Sequence, residues 1–273
     1  MSYATRRSLF GIVASSIAFG APNGRLRASH TENRPIRIVT LGDSITKGMR
    51  PGVSASETFA ALLQARSLKA GFSVEVDNVG IGGERTDQAL SRLDQDVLAK
   101  SPDIVTVMYG ANDSYVDPGK TAPRLSQEVF RKNLETIVDR LQARSVQVIL
   151  MTEPRWGAKA KANGIGEHPN TRMEGFMTEV RETAKARSLH LVDHYAIWTL
   201  KESQGIDLGS ITTDQLHPNP AGHRLLADSI WPTIEPILKK ANSRLESSGS
   251  CAFERQDAME SDVPVRGKPG LIG

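Results

Sequence analysis

The chain has one cysteine, Cys251, so no disulfide can form within it and the fold must stand on its core alone. It also lacks any apolar run as long as the roughly 20 residues of a membrane-spanning helix. Neither sign of charge dominates: 34 Lys and Arg oppose 31 Asp and Glu, for a formal net charge of +3. Residues 1–29 hold four arginines and no acid, which leaves the remainder at −1. The sequence pI of about 9.0 is therefore largely a property of the N-terminus. That excludes a basic nucleic-acid-binding footprint over the rest of the chain. Glycine-rich strings occur, but none has the G-x-G-x-x-G spacing or a following Walker lysine, which argues against a nucleotide site.

At the N-terminus stands "MSYATRRSLFGIVASSIAFGAPNG". Paired arginines (Arg6, Arg7) precede an apolar stretch from Leu9 to Ala21 and then small, turn-forming residues. That layout predicts an export signal over residues 1–30, and "TRRSLF" is similar to a twin-arginine signal. A disordered basic arm or a membrane anchor is the alternative. The expected location is then periplasmic or extracellular. At the other end, residues 248–273 are polar, rich in Gly and Ser, and without sustained period, so a disordered tail is expected there. Cys251 lies in it and reads as an incidental thiol.

Between them, over 34–247, strand and helix patterns alternate. Aliphatic runs at Ile36–Leu41, Phe72–Val79, Asp103–Tyr109, Val146–Met151 and Leu189–Val192 read as strands. Helical spacing marks Glu57–Ser67 (Ser56 a candidate N-cap), Thr86–Lys100, Ser126–Arg144, Thr171–Ala186 and Pro220–Leu245, the last interrupted by Pro232 and Pro236. Five strands alternating with helices predict one three-layer α/β/α domain around a mostly parallel, flavodoxin-like sheet. In such folds ligands bind beyond the carboxyl ends of the strands.

Those ends carry "GDSITKG" (Gly42–Gly48), "NVGIGGERT" (Asn78–Thr86) and "YGANDSY" (Tyr109–Tyr115), and "TTDQLHPNPAGH" (Thr212–His223) follows the last strand and its loop. Each string alone is an ordinary turn composition. A serine hydroxyl attacks well only when a base takes its proton. His217 alone among the histidines has a carboxylate three residues before it in a loop at this edge. Asp214 there can accept the imidazole Nδ1–H and leave Nε2 facing a hydroxyl.

Taken together, in chain order, the four strings resemble the SGNH hydrolase superfamily, also called GDSL-type lipases and esterases. The resemblance covers roughly Arg34 to Leu245. It departs from the GDSL name only in Ile45, where leucine is usual. It implies a serine ester hydrolase working through an acyl-enzyme: Ser44 attacks, His217 shuttles the proton, and Asp214 orients it. The oxyanion donors it implies are the Ser44 and Gly83 backbone N–H groups and the Asn112 side chain, with Gly82 as the alternative glycine. No metal or organic cofactor is implied. The expected partner is a small-molecule or carbohydrate ester. An aromatic content of 5% and the lack of a long apolar lid lean toward deacetylation of carbohydrate. Lysophospholipase, thioesterase and acyltransferase activity would use the same residues. A carbohydrate-binding protein without catalysis is the rival class.

Three further residues are candidate substrate contacts: Arg85 after the glycine string, and Arg155 and Trp156 after the fourth strand. Arg85 could equally pair with Glu84 or Asp87. His190 and His194 are four apart, which invites a metal reading, but no third ligand accompanies them. His223 is expected to cap or pack at the start of the last helix.

Overall fold

The computed structural model describes residues 34–260, with side chains through residue 243. The export-signal expectation for residues 1–30 lies outside the described residues. The elements run β1 (Ile36–Gly42), α1 (Ser44–Lys47), α2 (Phe59–Lys69), β2 (Val74–Asn78), α3 (Thr86–Arg92), β3 (Ile104–Met108), α4 (Gln127–Gln142), β4 (Gln147–Thr152), α5 (Asn170–Ala186), β5 (His190–Asp193), α6 (His194–Ser203) and α7 (Pro220–Glu260). The five strands form one sheet in the order β2-β1-β3-β4-β5, and every pairing is parallel. The expected three-layer α/β/α architecture is therefore present.

Alternation along the strands decides which helix covers which face. Val39, Leu41, Val105, Val107, Val148 and Leu150 pack on one side with Leu93, Phe130, Leu134, Phe176 and Val180 from the helical segment after β2 and from α4 and α5. Ile38, Ile104, Met108, Ile149 and Met151 pack on the other with Phe59, Leu63, Trp198, Ile230 and Leu238 from α2, α6 and α7. A sheet buried on both faces needs apolar residues at nearly every strand position. The strands β1, β3 and β4 are buried almost throughout.

Several local expectations are corrected. Ser56 does not cap α2. Ser54 caps a single 3₁₀ turn at Ala55–Glu57, and the Thr58 hydroxyl then accepts the Ala61 N–H at 3.4 Å to start the helix. The expected helix over 86–100 is α-helical to Arg92, a π-turn over Leu93–Val97, and 3₁₀ at Leu98–Lys100. The wider π-turn lets both Leu93 and Val97 face the core. Pro232 and Pro236 do not interrupt α7. Each removes a backbone N–H, but Leu226, Ile230, Ile234 and Leu238 hold that face against the sheet and α2. The same helix runs on to Glu260, past residue 247, where the tail was expected to begin. The element α6 had no counterpart in the sequence reading. It begins directly at the end of β5, where Asp193 accepts the Ala196 N–H at 3.0 Å.

Candidate active site

β1 delivers Ser44 to the carboxyl edge of the sheet through Gly42 and Asp43. A Cβ on Gly42 would lie 2.7 Å from the Met108 carbonyl of β3, so the tight exit needs glycine. Asp43 is buried, and its Oδ1 accepts the Ile45 N–H at 2.9 Å, fixing the first turn of α1.

His217 arrives on a loop 173 residues later. His217 Nε2 is 2.8 Å from Ser44 Oγ, and its Nδ1 is 2.8 Å from Asp214 Oδ2. Asp214 and His217 form a self-contained turn. Asp214 Oδ1 accepts the His217 backbone N–H at 2.9 Å, and the Thr213 N–H bonds the His217 carbonyl at 2.8 Å. Gln215 between them takes a left-handed φ of 72° to close it. Outside the turn, Arg50 reaches Asp214 Oδ2 at 3.1 Å, a partner that no local pattern announces.

The "GIGG" turn lies over the serine. A Cβ on Gly82 would sit 4.0 Å from the Ser44 Cβ. Gly83 has φ of +76° and open space where a Cβ would go. Directly behind it, Glu84 accepts two Arg92 N–H groups at 2.6 and 2.5 Å and the Tyr109 hydroxyl at 2.6 Å. Thr86 donates its N–H and its hydroxyl to Asp113 at 2.9 and 2.7 Å. These buried bonds lock the glycine turn to the loop after β3. Burial raises the Asp113 carboxyl to about 6, against the pull of the Thr86 donors.

Asn112 is held at both ends of its amide. Nδ2 donates to Asp43 Oδ2 at 2.6 Å, and Oδ1 accepts from Arg124 Nη1 at 3.1 Å. A flipped amide would set its N–H against the Arg124 N–H, so the group has one orientation. Nδ2 carries two hydrogens, and the bond to Asp43 uses one of them.

The structure thus brings Ser44, His217 and Asp214 into one hydrogen-bonded chain, with Gly82–Gly83 and Asn112 on the loops beside it. Each of the three expected contacts has a partner of its own. Arg85 pairs with Asp87 at 2.9 Å. Arg155 pairs with Glu202 of α6 at 3.1 Å. Trp156 stacks on Tyr115, ring centroids 6.2 Å apart at 21°. Arg124 also lies over the Tyr115 ring, at 5.2 Å. The loop carrying Trp156 is tied to the loop carrying His217, since the Gly157 N–H bonds the Gln215 carbonyl at 2.7 Å. Sequence reasoning missed Arg50, Tyr115 and Arg124.

The paired histidines bind no common partner. His190 is exposed and His194 is fully buried, and burial pulls the His194 imidazole down to about 3. His223 packs as expected at the start of α7, stacked on Phe59, its Nδ1 accepting the Phe59 N–H at 3.3 Å. No group of three or more metal-ligating side chains occurs among the described residues.

Residues 40–225 match the model of the GDSL-like Lipase/Acylhydrolase family, a span that contains every loop just described. The chain is 26% identical over 204 residues to Esterase TesA of Pseudomonas aeruginosa, covering 74% of this chain and 89% of that protein. It is 27% identical over 206 residues to an acetylxylan esterase of Geobacillus stearothermophilus, covering 70% and 90%. Among solved structures, the acetyl xylan esterase AlAXEase superposes with a TM-score of 0.61 at 27% identity, over 73% of this chain and all of that one. A match over two thirds of the chain makes this protein a member of the GDSL-like lipase/acylhydrolase family of ester-bond hydrolases.

Proposed function

We propose that the protein hydrolyses carboxylic esters by acyl transfer to Ser44 and from there to water. The observation that carries this reading is the 2.8 Å approach of His217 Nε2 to the Ser44 hydroxyl, with Asp214 on Nδ1. As Ser44 Oγ attacks the acyl carbon, its proton passes to His217 Nε2. Asp214 holds the tautomer with a proton on Nδ1 and stabilises the imidazolium. His217 then gives the proton to the departing alcohol. In the second half, water loses a proton to His217 and attacks the acyl carbon, and Ser44 Oγ leaves as His217 returns that proton to it. The carbonyl oxygen becomes an oxyanion twice, received by the N–H groups of Ser44 and Gly83 and the second N–H of Asn112.

The experiment is hydrolysis of p-nitrophenyl esters of graded chain length by wild type and Asn112→Ala. The expected result is a fall in kcat of about 10²-fold, or roughly 3 kcal/mol, because one of three oxyanion donors is gone. An asparagine that merely closes a turn would leave kcat within a factor of about two, and that result would overturn the assignment.

Within this chemistry the reading favours an acetylated carbohydrate. Two of the relatives are named acetylxylan esterases. The half-buried Tyr115–Trp156 pair joins the Asn112 loop to the base loop, and a stacked aromatic pair offers a flat apolar face of the kind a pyranose ring covers. Trp156→Ala is expected to raise KM for acetylated xylooligosaccharides about tenfold while changing KM for p-nitrophenyl acetate less than twofold. Equal changes for the two substrates would remove the carbohydrate reading and leave the esterase. The "TRRSLF" segment supports export as the setting, with a polymer outside the cytoplasm as the source of such esters. Among the described residues, no helix is long and apolar enough to cross a membrane.

A further inference from the structure

One acid under the site has no role in the chemistry above. Glu153 follows β4 directly, is fully buried, and among the described residues neither carboxyl oxygen has a hydrogen-bond partner of the ordinary donor–acceptor kind. Its own N–H is taken up by Met177 Sδ of α5 at 3.1 Å. The groups acting on its side chain are Asp43 at the end of β1, Asp113 in the loop after β3, and the Ala111 backbone. Both charged neighbours are acids, and the side chain lies within hydrogen-bonding reach of Asp43. Burial above all, with Asp113 and Glu84, raises the Asp43 carboxyl to about 7, against the pull of the Ile45 N–H and the Asn112 amide.

Two carboxylates in contact, out of water, cannot both stay ionised. One proton between them converts the clash into a bond. Its place follows from the donors. Asp43 accepts N–H groups from Ile45 and from Asn112, at 2.9 and 2.6 Å, and both favour its charged form. Glu153 has only the Ala111 backbone to set against its burial. Burial together with the two neighbouring acids holds the Glu153 carboxyl well above the usual carboxylate range.

We propose that Glu153 is a positioning residue for the oxyanion donor: as a neutral carboxylic acid it donates its proton to Asp43, and Asp43, kept as the anion, aligns the Asn112 amide. The idea rests on the reading of Asn112 given above. No bond to substrate is involved. Glu153 acts through Asp43, and Asp43 through Asn112. Neutrality matters as much as the bond, because a second negative charge beneath Asn112 would oppose the charge forming on the substrate oxygen.

The test combines infrared spectroscopy with kinetics on Glu153→Gln and Glu153→Leu, both checked by thermal melting. Wild type at pH 7 should show the C=O stretch of a protonated buried carboxyl, and Glu153→Gln should lack it. For p-nitrophenyl acetate, Glu153→Leu should lower kcat about tenfold with KM within twofold. Glu153→Gln, neutral and still a donor, should recover kcat to within about threefold. The absence of a band assignable to Glu153, or equal loss of kcat in the two variants, would overturn the proposal. Should the band be present while Asn112→Ala keeps full kcat, the shared proton stands, but the oxyanion reading and Glu153's purpose with it are overturned.

Discussion

Ser44→Ala should fold as wild type does and lose between about 10⁴- and 10⁶-fold in kcat on p-nitrophenyl esters. The size follows from what the alanine removes. There is no longer an oxygen 2.8 Å from His217 Nε2, so no acyl-enzyme can form. Water attacking directly keeps only the oxyanion donors and binding, which alone are worth about 10³–10⁴ over solution. The fold should survive because Ser44 stands at the first position of α1, where the Asp43 carboxylate, and not the serine hydroxyl, caps the turn. Rapid mixing of wild type with a p-nitrophenyl ester whose deacylation is slow should release a burst of one nitrophenol per chain, and Ser44→Ala should release none. A burst in the variant, or equal steady-state rates, would remove Ser44 as nucleophile.

Asp214→Asn should cost about 10³-fold in kcat with little change in KM. Replacing a carboxylate that orients the base by an amide costs about 10⁴ where the acid is buried, because the imidazole is held in the wrong tautomer. An asparagine N–H aimed at His217 Nδ1 would put the imidazole proton on Nε2, where it faces Ser44 and blocks proton uptake. The expected loss is smaller here because the Asp214 side chain is 44% exposed, and water can rescue part of the tautomer. Arg50, 3.1 Å from Oδ2, adds a charge that asparagine cannot answer. Steady-state kinetics across pH 6–9 checks this: a loss below tenfold at every pH would mean that Asp214 only shapes the loop.

The fold was legible because its strands announce themselves. "IRIVTLG" and "VILMT" are aliphatic runs stopped by turn residues, and in a sheet covered on both faces little else is permitted. What escaped was local competition. α6 follows β5 without a loop, so the strand pattern ran into the helix pattern and hid it, although Asp193 was a readable cap. Pro232 and Pro236 were given their usual helix-breaking weight, whereas four apolar contacts along one face outweighed them. At the site, Ser44, Asp214 and His217 were legible as short strings of chemistry-bearing residues. Arg50 and Glu153 were not, since each acts on a residue from a distant part of the chain, and Arg124 was not, since no local pattern marks its reach back along the loop to Asn112. Glu153 left one trace, an ionisable residue directly after a strand whose interior is apolar.

The Asp214–His217 turn closes on its own hydrogen bonds, and the nucleophile belongs to a different element. His217 and Asp214 therefore travel together. If the loop swings outward, the imidazole leaves the hydroxyl while keeping its tautomer, and returns ready to accept a proton. Opening and closing would then act as a clutch on a preassembled proton carrier, and each closure would remake the contact to Ser44 together with the Arg50–Asp214 pair and the Gly157–Gln215 bond.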